Sequence, residues 1–250
     1  MPAPIIPGAE PWSAEGGPHG ALCLHGFTGN CNSMRGLAEA FQAAGFAVEL
    51  PLLPGHGTSV ADMMSTGWDD WSAAAEDAYE RLAHRSDKVV VAGLSMGGAL
   101  TAWLAARHPE VAGIVCINAL VQVPEGMEEA VRAMLDAGDT TMAGIGSDIA
   151  DPDAHESAYA STPLPPLATL FGAADELAGL LGQIECPVLI LNSPQDHVVE
   201  PVNSDTLAAA VRGPVERITL ERSYHVATLD YDKELVQEAA VAFAAKVTAG

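Results

Sequence analysis

The 250-residue sequence is poor in basic residues: Lys and Arg total 11 against 33 Asp and Glu, a formal net charge of −22 at pH 7. Such an acidic surface repels phosphate backbones, so we expect no nucleic-acid partner. Hydrophobic residues make up 49% and charged residues only 18%, which excludes intrinsic disorder. The length suits one sizeable domain, with or without an insertion.

Long hydrophobic runs are also missing. No stretch approaches the ~18 apolar residues that a membrane span needs, so we expect no integral membrane segment. The N-terminal sequence MPAPIIPGAEPW lacks the basic region and apolar run of a signal peptide. The four cysteines form no C-x-x-C pair, and Cys23 and Cys116 lie in strand-like apolar runs, although spacing alone does not exclude a disulfide. These features predict a cytoplasmic protein.

Apolar runs typical of buried strands alternate with segments at helical spacing. The predicted strands cover residues 20–24, 46–50, 88–94, 111–119, 187–191 and 217–220. The predicted helices cover residues 33–45, a segment that begins at Asp69 or Asp70, residues 97–107 and residues 232–247. This alternation indicates an α/β fold with a mostly parallel central sheet covered by helices on both faces.

Residues 120–186 interrupt the alternation. They hold no convincing β run, contain several Met and Leu residues and are divided by Pro163, Pro165 and Pro166. A structureless loop of this length is improbable. We therefore predict a small helical cap insertion over the carboxyl ends of the strands. Residues 1–119 and 187–250 would then form one discontinuous core domain.

The segment Gly93-Leu94-Ser95-Met96-Gly97 matches G-x-S-x-G between a predicted strand and a predicted helix. A sharp turn there lifts the serine hydroxyl above the sheet edge, and small neighbours let the backbones approach. The five-residue pattern alone is a weak signal, but the strand before it and the Ala-rich helix after it make it specific. The pattern indicates that Ser95 is a nucleophile, the alternative being a helix cap in a glycine-rich turn.

A serine nucleophile needs a base, and the base needs a third group to orient it. Asp196 directly follows a predicted strand and therefore lies at the same sheet edge as Ser95. Glu200 and Asp205 are rivals farther beyond the strand end. The alternative role for Asp196 is an Asx turn.

Eight histidines compete for the role of base. His225 follows the last predicted strand and, apart from His197, is the only histidine after Asp196. His197 adjoins the acid and would not face it easily, while His84, His108 and His155 occupy helix or cap surface positions. His225 is therefore the candidate base, the alternative being an ordinary loop histidine. No His or Cys spacing typical of a metal site appears, so we predict none.

The oxyanion of an acyl-transfer intermediate needs backbone donors. The segment His25-Gly26-Phe27-Thr28-Gly29 follows the first predicted strand, and its glycines allow a bend that aims an N–H group at the nucleophile. We assign the two donors to the backbone N–H groups of Phe27 and Met96, the alternative for the first being a plain turn. The Gly55-His56-Gly57 segment is predicted to be a turn.

Together, HGFTGN, LPGHG, GWDDW, GLSMGG, PQDHVV and SYHVATLD resemble motifs of the α/β-hydrolases, and more closely of the small bacterial carboxylesterases that include monoacylglycerol lipases. The resemblance covers nearly the whole chain except the insertion. It implies Ser95 as nucleophile, Asp196 as acid, His225 as base and oxyanion donors at Phe27 and Met96. The family often has Gly just before the catalytic histidine, where this chain has Tyr224.

We therefore expect a serine hydrolase of lipid metabolism that needs no cofactor and cleaves small-molecule esters through an acyl-enzyme. The Met- and Leu-rich insertion would supply an adaptable apolar pocket, which favours short-to-medium acyl esters or monoacylglycerols. The alternatives are a thioesterase or another acyl or C–C hydrolase with the same triad, and a non-catalytic ligand-binding homologue. An exposed apolar cap would also offer a surface for a homodimer.

Overall fold

The computed structural model describes residues 3–144 and 146–249 and contains a seven-stranded sheet. Its strands are β1 (Trp12–Ala14), β2 (His19–Leu24), β3 (Ala47–Leu50), β4 (Lys88–Leu94), β5 (Gly113–Ile117), β8 (Val188–Asn192) and β9 (Val215–Thr219). The strand order is β1-β3-β2-β4-β5-β8-β9. All neighbours are parallel except β1, which runs antiparallel to β3. The predicted mostly parallel sheet is confirmed.

Strand β1 is the one strand of this sheet that the sequence analysis did not predict. Three residues give no measurable alternation, so their pairing with β3 depends on tertiary contacts. At the other edge, β9 is mostly exposed, and Glu216 on it accepts a hydrogen bond from the Lys246 ammonium group at 2.7 Å. One edge of the sheet is therefore short, and the other is exposed and carries charged side chains.

Helices cover both faces of the sheet. They are α1 (Asn32–Ala43), α2 (Val60–Met63), α3 (Trp68–Ala83), α4 (Met96–Arg107), α7 (Val202–Ala210) and α8 (Lys233–Thr248). On one face, Trp71 of α3 and Leu100 of α4 pack in the same buried cluster as Val91. On the other, Phe41 and Phe243 of α1 and α8 pack with Val90. Successive β4 residues thus face opposite layers, as the pleat requires.

The start of α3 differs from the prediction. The helix begins at Trp68, and Gly67 is its N-cap, so Asp69 and Asp70 lie in the first turn instead. The carboxylate of Asp70 accepts a hydrogen bond from the backbone N–H of Gly67 at 3.0 Å. Acidic side chains are favoured both at the N-cap and in the first turn, because both positions lie close to the unpaired N–H groups of the helix. The two aspartates therefore mark the start of the helix without fixing its first residue.

The segment 120–186 contains α5 (Met127–Asp136), β6 (Thr141–Ala143), β7 (Ser161–Pro163), α6 (Leu164–Leu180) and a 3₁₀ turn (Leu181–Gln183). The helices agree with the predicted helical insertion, but β6 and β7 pair antiparallel as a separate two-stranded sheet that was not predicted. Three-residue strands carry too little pattern to be recognised. No helix within residues 3–144 and 146–249 is long and apolar enough to cross a membrane.

Candidate active site

Ser95 occupies the sharp turn between β4 and α4. Its backbone has φ 58° and ψ −119°, in the positive-φ region that residues other than Gly rarely adopt. Such strain costs about 1–3 kcal/mol and persists only where the surroundings fix it. Here the N–H of Ser95 donates to the carbonyl of Ile117 at 3.0 Å, and its carbonyl accepts from the N–H of Leu120 at 3.2 Å. The neighbouring strand therefore holds the turn on both sides.

Two glycines give this turn the space it needs. A Cβ at Gly97 would lie 2.1 Å from the carbonyl oxygen of Leu24, a distance too short for any side-chain atom. A Cβ at Gly26 would lie 3.3 Å from the Cβ of Ser95. The loop after β2 therefore packs directly against Ser95, as the oxyanion-loop prediction requires.

Asp196 and His225 meet directly. The Nδ1 atom of His225 lies 2.7 Å from Oδ2 of Asp196, and the two side chains are only 8% and 2% exposed. Because the carboxylate accepts and does not donate, Nδ1 carries the proton and Nε2 is left as the acceptor. The other carboxylate oxygen, Oδ1, accepts from the backbone N–H groups of Val198 and Val199 at 2.8 Å each. The acid is thus held rigidly.

The rival residues have other environments. Glu200 is exposed, and Asp205 pairs with Arg217. The His197 side chain is 62% exposed, and its Nδ1 lies 2.8 Å from Oδ1 of Asp148 at the surface. Of the candidates weighed from the sequence, the structure therefore brings only Asp196 and His225 into a buried pair.

Asn118, which the sequence analysis did not identify, joins the loops that carry these two residues. Its Nδ2 donates to the carbonyl of His225 at 2.8 Å and to Oγ of Ser193 at 3.0 Å, and its Oδ1 accepts from the N–H of Ser193 at 2.8 Å. Its φ is 43°, a conformation that Asn tolerates better than most residues. A polar residue at the end of the apolar β5 run was the available signal.

The loop after β2 is fixed by a buried histidine. Nδ1 of His25 donates to the carbonyl of Gly26 at 3.0 Å, and Nε2 accepts from the N–H of Leu53 at 3.1 Å. Burial lowers the pKa of His25 to about 4, so the ring is neutral, as these two bonds require. The neighbouring Phe27 packs edge-on against Trp71 at 5.7 Å. Met96 is the first residue of α4, where backbone N–H groups have no partner within the helix.

The Gly55-His56-Gly57 segment forms a turn, since both glycines have positive φ. The buried His56 ring lies 5.0 Å from that of His25, and its Nδ1 donates to the carbonyl of Pro54 at 3.0 Å. Burial also lowers the pKa of His56. This turn supports the oxyanion loop from behind. Tyr224 packs edge-on against His197 with ring centroids 4.6 Å apart.

A cavity of about 250 Å³ opens at Ser95 between the core and the segment 120–186. His197, next to Asp196 in the chain, also lines it, so the acid loop and the nucleophile share one space. The lining is otherwise mostly apolar and includes Phe27, Met127, Met142, Leu170, Phe171 and Val199. The space beside Ser95 is therefore mostly apolar.

Glu156, also missed from the sequence, places a carboxyl group near the base. Burial raises its pKa to about 7, while the charge of His225 and a hydrogen bond from Ser33 counteract this rise. A Cβ at Gly29 would lie 2.5 Å from Oε1 of Glu156, so the carboxyl group covers the oxyanion loop. A titratable carboxyl group therefore lies against the loop after β2. Nothing in the sequence around residue 156 marks it.

No group of three or more His, Cys, Asp or Glu residues in the described part of the chain could hold a metal ion. The parallel sheet and the strained serine between β4 and α4 define an α/β-hydrolase. The comparisons with known proteins give the family. The family described as serine aminopeptidase S33 matches residues 18–232, so the chain belongs to it.

Two relatives carry names that refer to esters. The chain is 44% identical to a thermostable monoacylglycerol lipase from Bacillus sp. strain H-257, over 97% of both chains. It is 25% identical to a carboxylesterase from Bacillus subtilis strain 168, over 95% of this chain and 97% of that one. Among solved structures, one from a study of the metagenome-derived lipolytic enzymes LipS and LipT has a TM-score of 0.94 and 42% identity, and the match covers 97% of this chain and all of that one. The chain is a serine hydrolase that cleaves carboxylic esters.

Proposed function

We propose that Ser95, His225 and Asp196 form the catalytic triad. His225 removes the proton of the Ser95 hydroxyl as its oxygen attacks the ester carbonyl, and then donates that proton to the leaving alcohol. Water, activated by the same histidine, releases the acid from the acyl-enzyme. The observation that carries the proposal is the buried bond between His225 and Asp196 beside a cavity that ends at the strained Ser95.

The backbone N–H groups of Phe27 and Met96 serve as the oxyanion donors in this proposal. Two observations support them. Gly26, the residue before Phe27, lies against the Ser95 side chain, and Met96 directly follows Ser95 at the start of α4. Removing one such donor typically costs about 3–4 kcal/mol of barrier. A side-chain substitution does not remove a backbone N–H group. The assignment of these two donors therefore rests on where the loop after β2 and the start of α4 lie relative to Ser95.

Monoacylglycerols with short-to-medium acyl chains are the proposed substrates. The cavity of about 250 Å³ is small beside the roughly 300–1,000 Å³ of most ligand pockets, which favours a short chain. The carboxyl group of Glu156, which lies against Gly29 of the oxyanion loop, is the proposed acceptor for the hydroxyl groups of a glycerol leaving group. The name of the relative from Bacillus sp. strain H-257 agrees with this substrate class.

We also propose a division of the chain that the lining of this site supports. Residues 1–119 and 187–250 act as one core domain that carries the reacting groups, and residues 120–186 act as a cap that supplies most of the apolar lining. Four free cysteines support a reducing compartment, so we retain the cytoplasm as the proposed location. A homodimer through the exposed Met127 and Met142 stays a prediction.

The experiment is a substrate panel run on one enzyme preparation. It compares monoacylglycerols of increasing chain length with p-nitrophenyl esters, acyl-CoA thioesters and amino-acid p-nitroanilides. We expect kcat/KM to be highest for monoacylglycerols with short-to-medium chains and to fall for longer chains. Preferential turnover of acyl-CoA would replace the proposal with a thioesterase. Preferential turnover of the anilides would make the chain an aminopeptidase.

A further inference from the structure

One carboxylate in the segment 120–186 contacts the loops of both the acid and the base. Oδ2 of Asp148 accepts from the backbone N–H of His197 and from that of His225, each at 3.1 Å. Its Oδ1 lies 2.8 Å from Nδ1 of His197. Its backbone carbonyl also accepts from the N–H of Val226 at 3.1 Å. Asp148 therefore connects His197, which adjoins Asp196 in the chain, with His225.

A second carboxylate anchors the same stretch of chain. The fully buried Asp230 accepts from the backbone N–H groups of Ala150 and Asp151 at 2.7 and 3.0 Å. It also accepts from the N–H of Tyr224 at 2.8 Å, one residue before the base. Residues 148–151 are thus attached to the histidine loop at two points. Their position is defined relative to the triad.

We propose that Asp148 is a positioning residue that holds the His225 and Asp196 loops in register. This inference rests on the proposed triad and adds to it a contribution from the inserted segment. In that role the segment does more than line the acyl cavity, because it fixes the backbone of the base. No pattern in the sequence indicates this role, since Asp148 is one of 33 acidic residues.

The physical reason is the narrow tolerance of proton transfer. The imidazole of His225 must face Asp196 and the attacking hydroxyl at once, and misplacement of a reacting group by about 1 Å can cost 100-fold in rate. Asn118 holds the carbonyl of His225, and Asp148 holds its N–H. Without Asp148, the N–H side of this residue loses its anchor while the bond to Asn118 remains. The loop would then sample orientations in which the proton cannot transfer.

The test replaces the side chain and then restores an acceptor. We expect Asp148→Ala to lower kcat about 10- to 100-fold while KM changes less than about threefold, because the alignment of the base is lost and the apolar cavity is kept. Asp148→Asn keeps one oxygen that can accept both backbone N–H groups and should recover most of kcat. Asp153→Ala removes an exposed carboxylate from the same segment and should match the wild type.

Two further measurements separate positioning from loss of folding. Thermal unfolding shows how much of each variant is folded at the assay temperature. The far-downfield proton resonance of the His225–Asp196 hydrogen bond reports the pair directly, and we expect it to broaden or shift in Asp148→Ala alone. A kcat for Asp148→Ala within twofold of the wild type, or an unchanged resonance, would overturn the proposal.

The rate at which a fluorophosphonate labels Ser95 keeps the test independent of the substrate. Labelling needs an activated serine but not the correct ester. Slow labelling of Asp148→Ala beside rapid labelling of the wild type supports positioning even if the proposed monoacylglycerol substrates are wrong. Absence of labelling in the wild type would instead contradict the proposed triad.

Discussion

The turn that carries Ser95 and the segment that covers it are built in opposite ways. Leu94 and Met96 on either side of Ser95 are almost completely buried, and the backbone of the serine is held in a strained conformation. In α5 of the covering segment, by contrast, Val131 is the only buried residue, and Met127 at its start is 41% exposed. The proposed nucleophile thus lies on a rigid scaffold, whereas α5, which adds Met127 to the lining of the cavity, is more loosely packed.

This difference separates the chemistry from the choice of substrate. A strained turn persists only because its surroundings fix it, so small changes there should abolish activity or folding. Exposed methionines have several rotatable bonds and adjust to different chains. Changes at the exposed positions of this segment should therefore alter substrate preference and stability mildly, whereas the buried leucines of α6 belong to the core. The following variants test that contrast.

The largest effect is expected for Ser95→Ala. Loss of the attacking oxygen should lower kcat at least about 10,000-fold, because no other group in this proposal can form the acyl-enzyme. The fold should tolerate the smaller alanine side chain. The circular dichroism spectrum and the midpoint of thermal unfolding should therefore stay close to those of the wild type. Substantial esterase activity in the purified variant would show that another nucleophile acts.

Gly97→Ala should damage the fold itself. The new methyl group would lie 2.1 Å from the carbonyl oxygen of Leu24, and a backbone atom cannot move away cheaply. We expect a loss of about 3 kcal/mol or more in the free energy of unfolding, measured by urea denaturation. A stable and fully active variant would show that the turn is far less tightly packed than the structure indicates.

Glu156→Gln tests the carboxyl group beside the base through its pH dependence. The pKa of Glu156 in the folded protein is about 7, above its ordinary value of 4.5. The folded state therefore binds the proton more tightly, so the stability this group contributes is complete below pH 4.5 and is lost as pH rises to about 7. Because the residue remains partly accessible to solvent, we expect a modest loss of about 1–3 kcal/mol.

Urea denaturation at pH 5 and pH 8 measures this loss. Since glutamine does not titrate, the wild type should lose stability relative to Glu156→Gln between these two conditions. Other titrating groups are the same in both proteins and cancel in the difference. An equal change in both proteins would mean that Glu156 titrates normally.

The smallest effect is expected in the covering segment. Gly179 lies inside α6, and a methyl group added there would meet no atom within 4 Å. Gly179→Ala should therefore stabilise the protein by about 0.5–1 kcal/mol, because alanine loses less conformational freedom in a helix. It is the matched control for Gly97→Ala. Destabilisation by both substitutions would end the contrast between the two regions.

The sequence predicted the parts of the fold that depend on local patterns. The apolar run 88–94 agrees with β4 residue for residue, because a buried parallel strand is apolar on both faces. The G-x-S-x-G turn was predictable for a similar reason, since its glycines are required by local sterics. The strands β6 and β7 were not predictable, because three residues carry no alternation and their pairing joins positions about 20 residues apart.

The site was predictable only where a residue follows a recognisable strand. Asp196 and His225 both follow strands, and the structure places them in contact. Asn118 ends the apolar β5 run, but its role, like the roles of Asp148 and Glu156, depends on contacts between distant segments that no spacing in the sequence reports. Of these three, Asp148 and Glu156 are also carboxylates in a very acidic chain, where a single acidic residue carries little information.

The outer strands of the sheet limit how two copies could associate. β1 has three residues, and β9 carries Glu216 and Arg217 with its side chains toward solvent. Short or charged margins resist continuation of a sheet into a second molecule. Two copies joined through their backbones at β9 would have to desolvate those charges, and at β1 they would gain only three residues of pairing. Self-association through a continuous intermolecular sheet is therefore disfavoured, and a dimer would have to bury side chains on another surface.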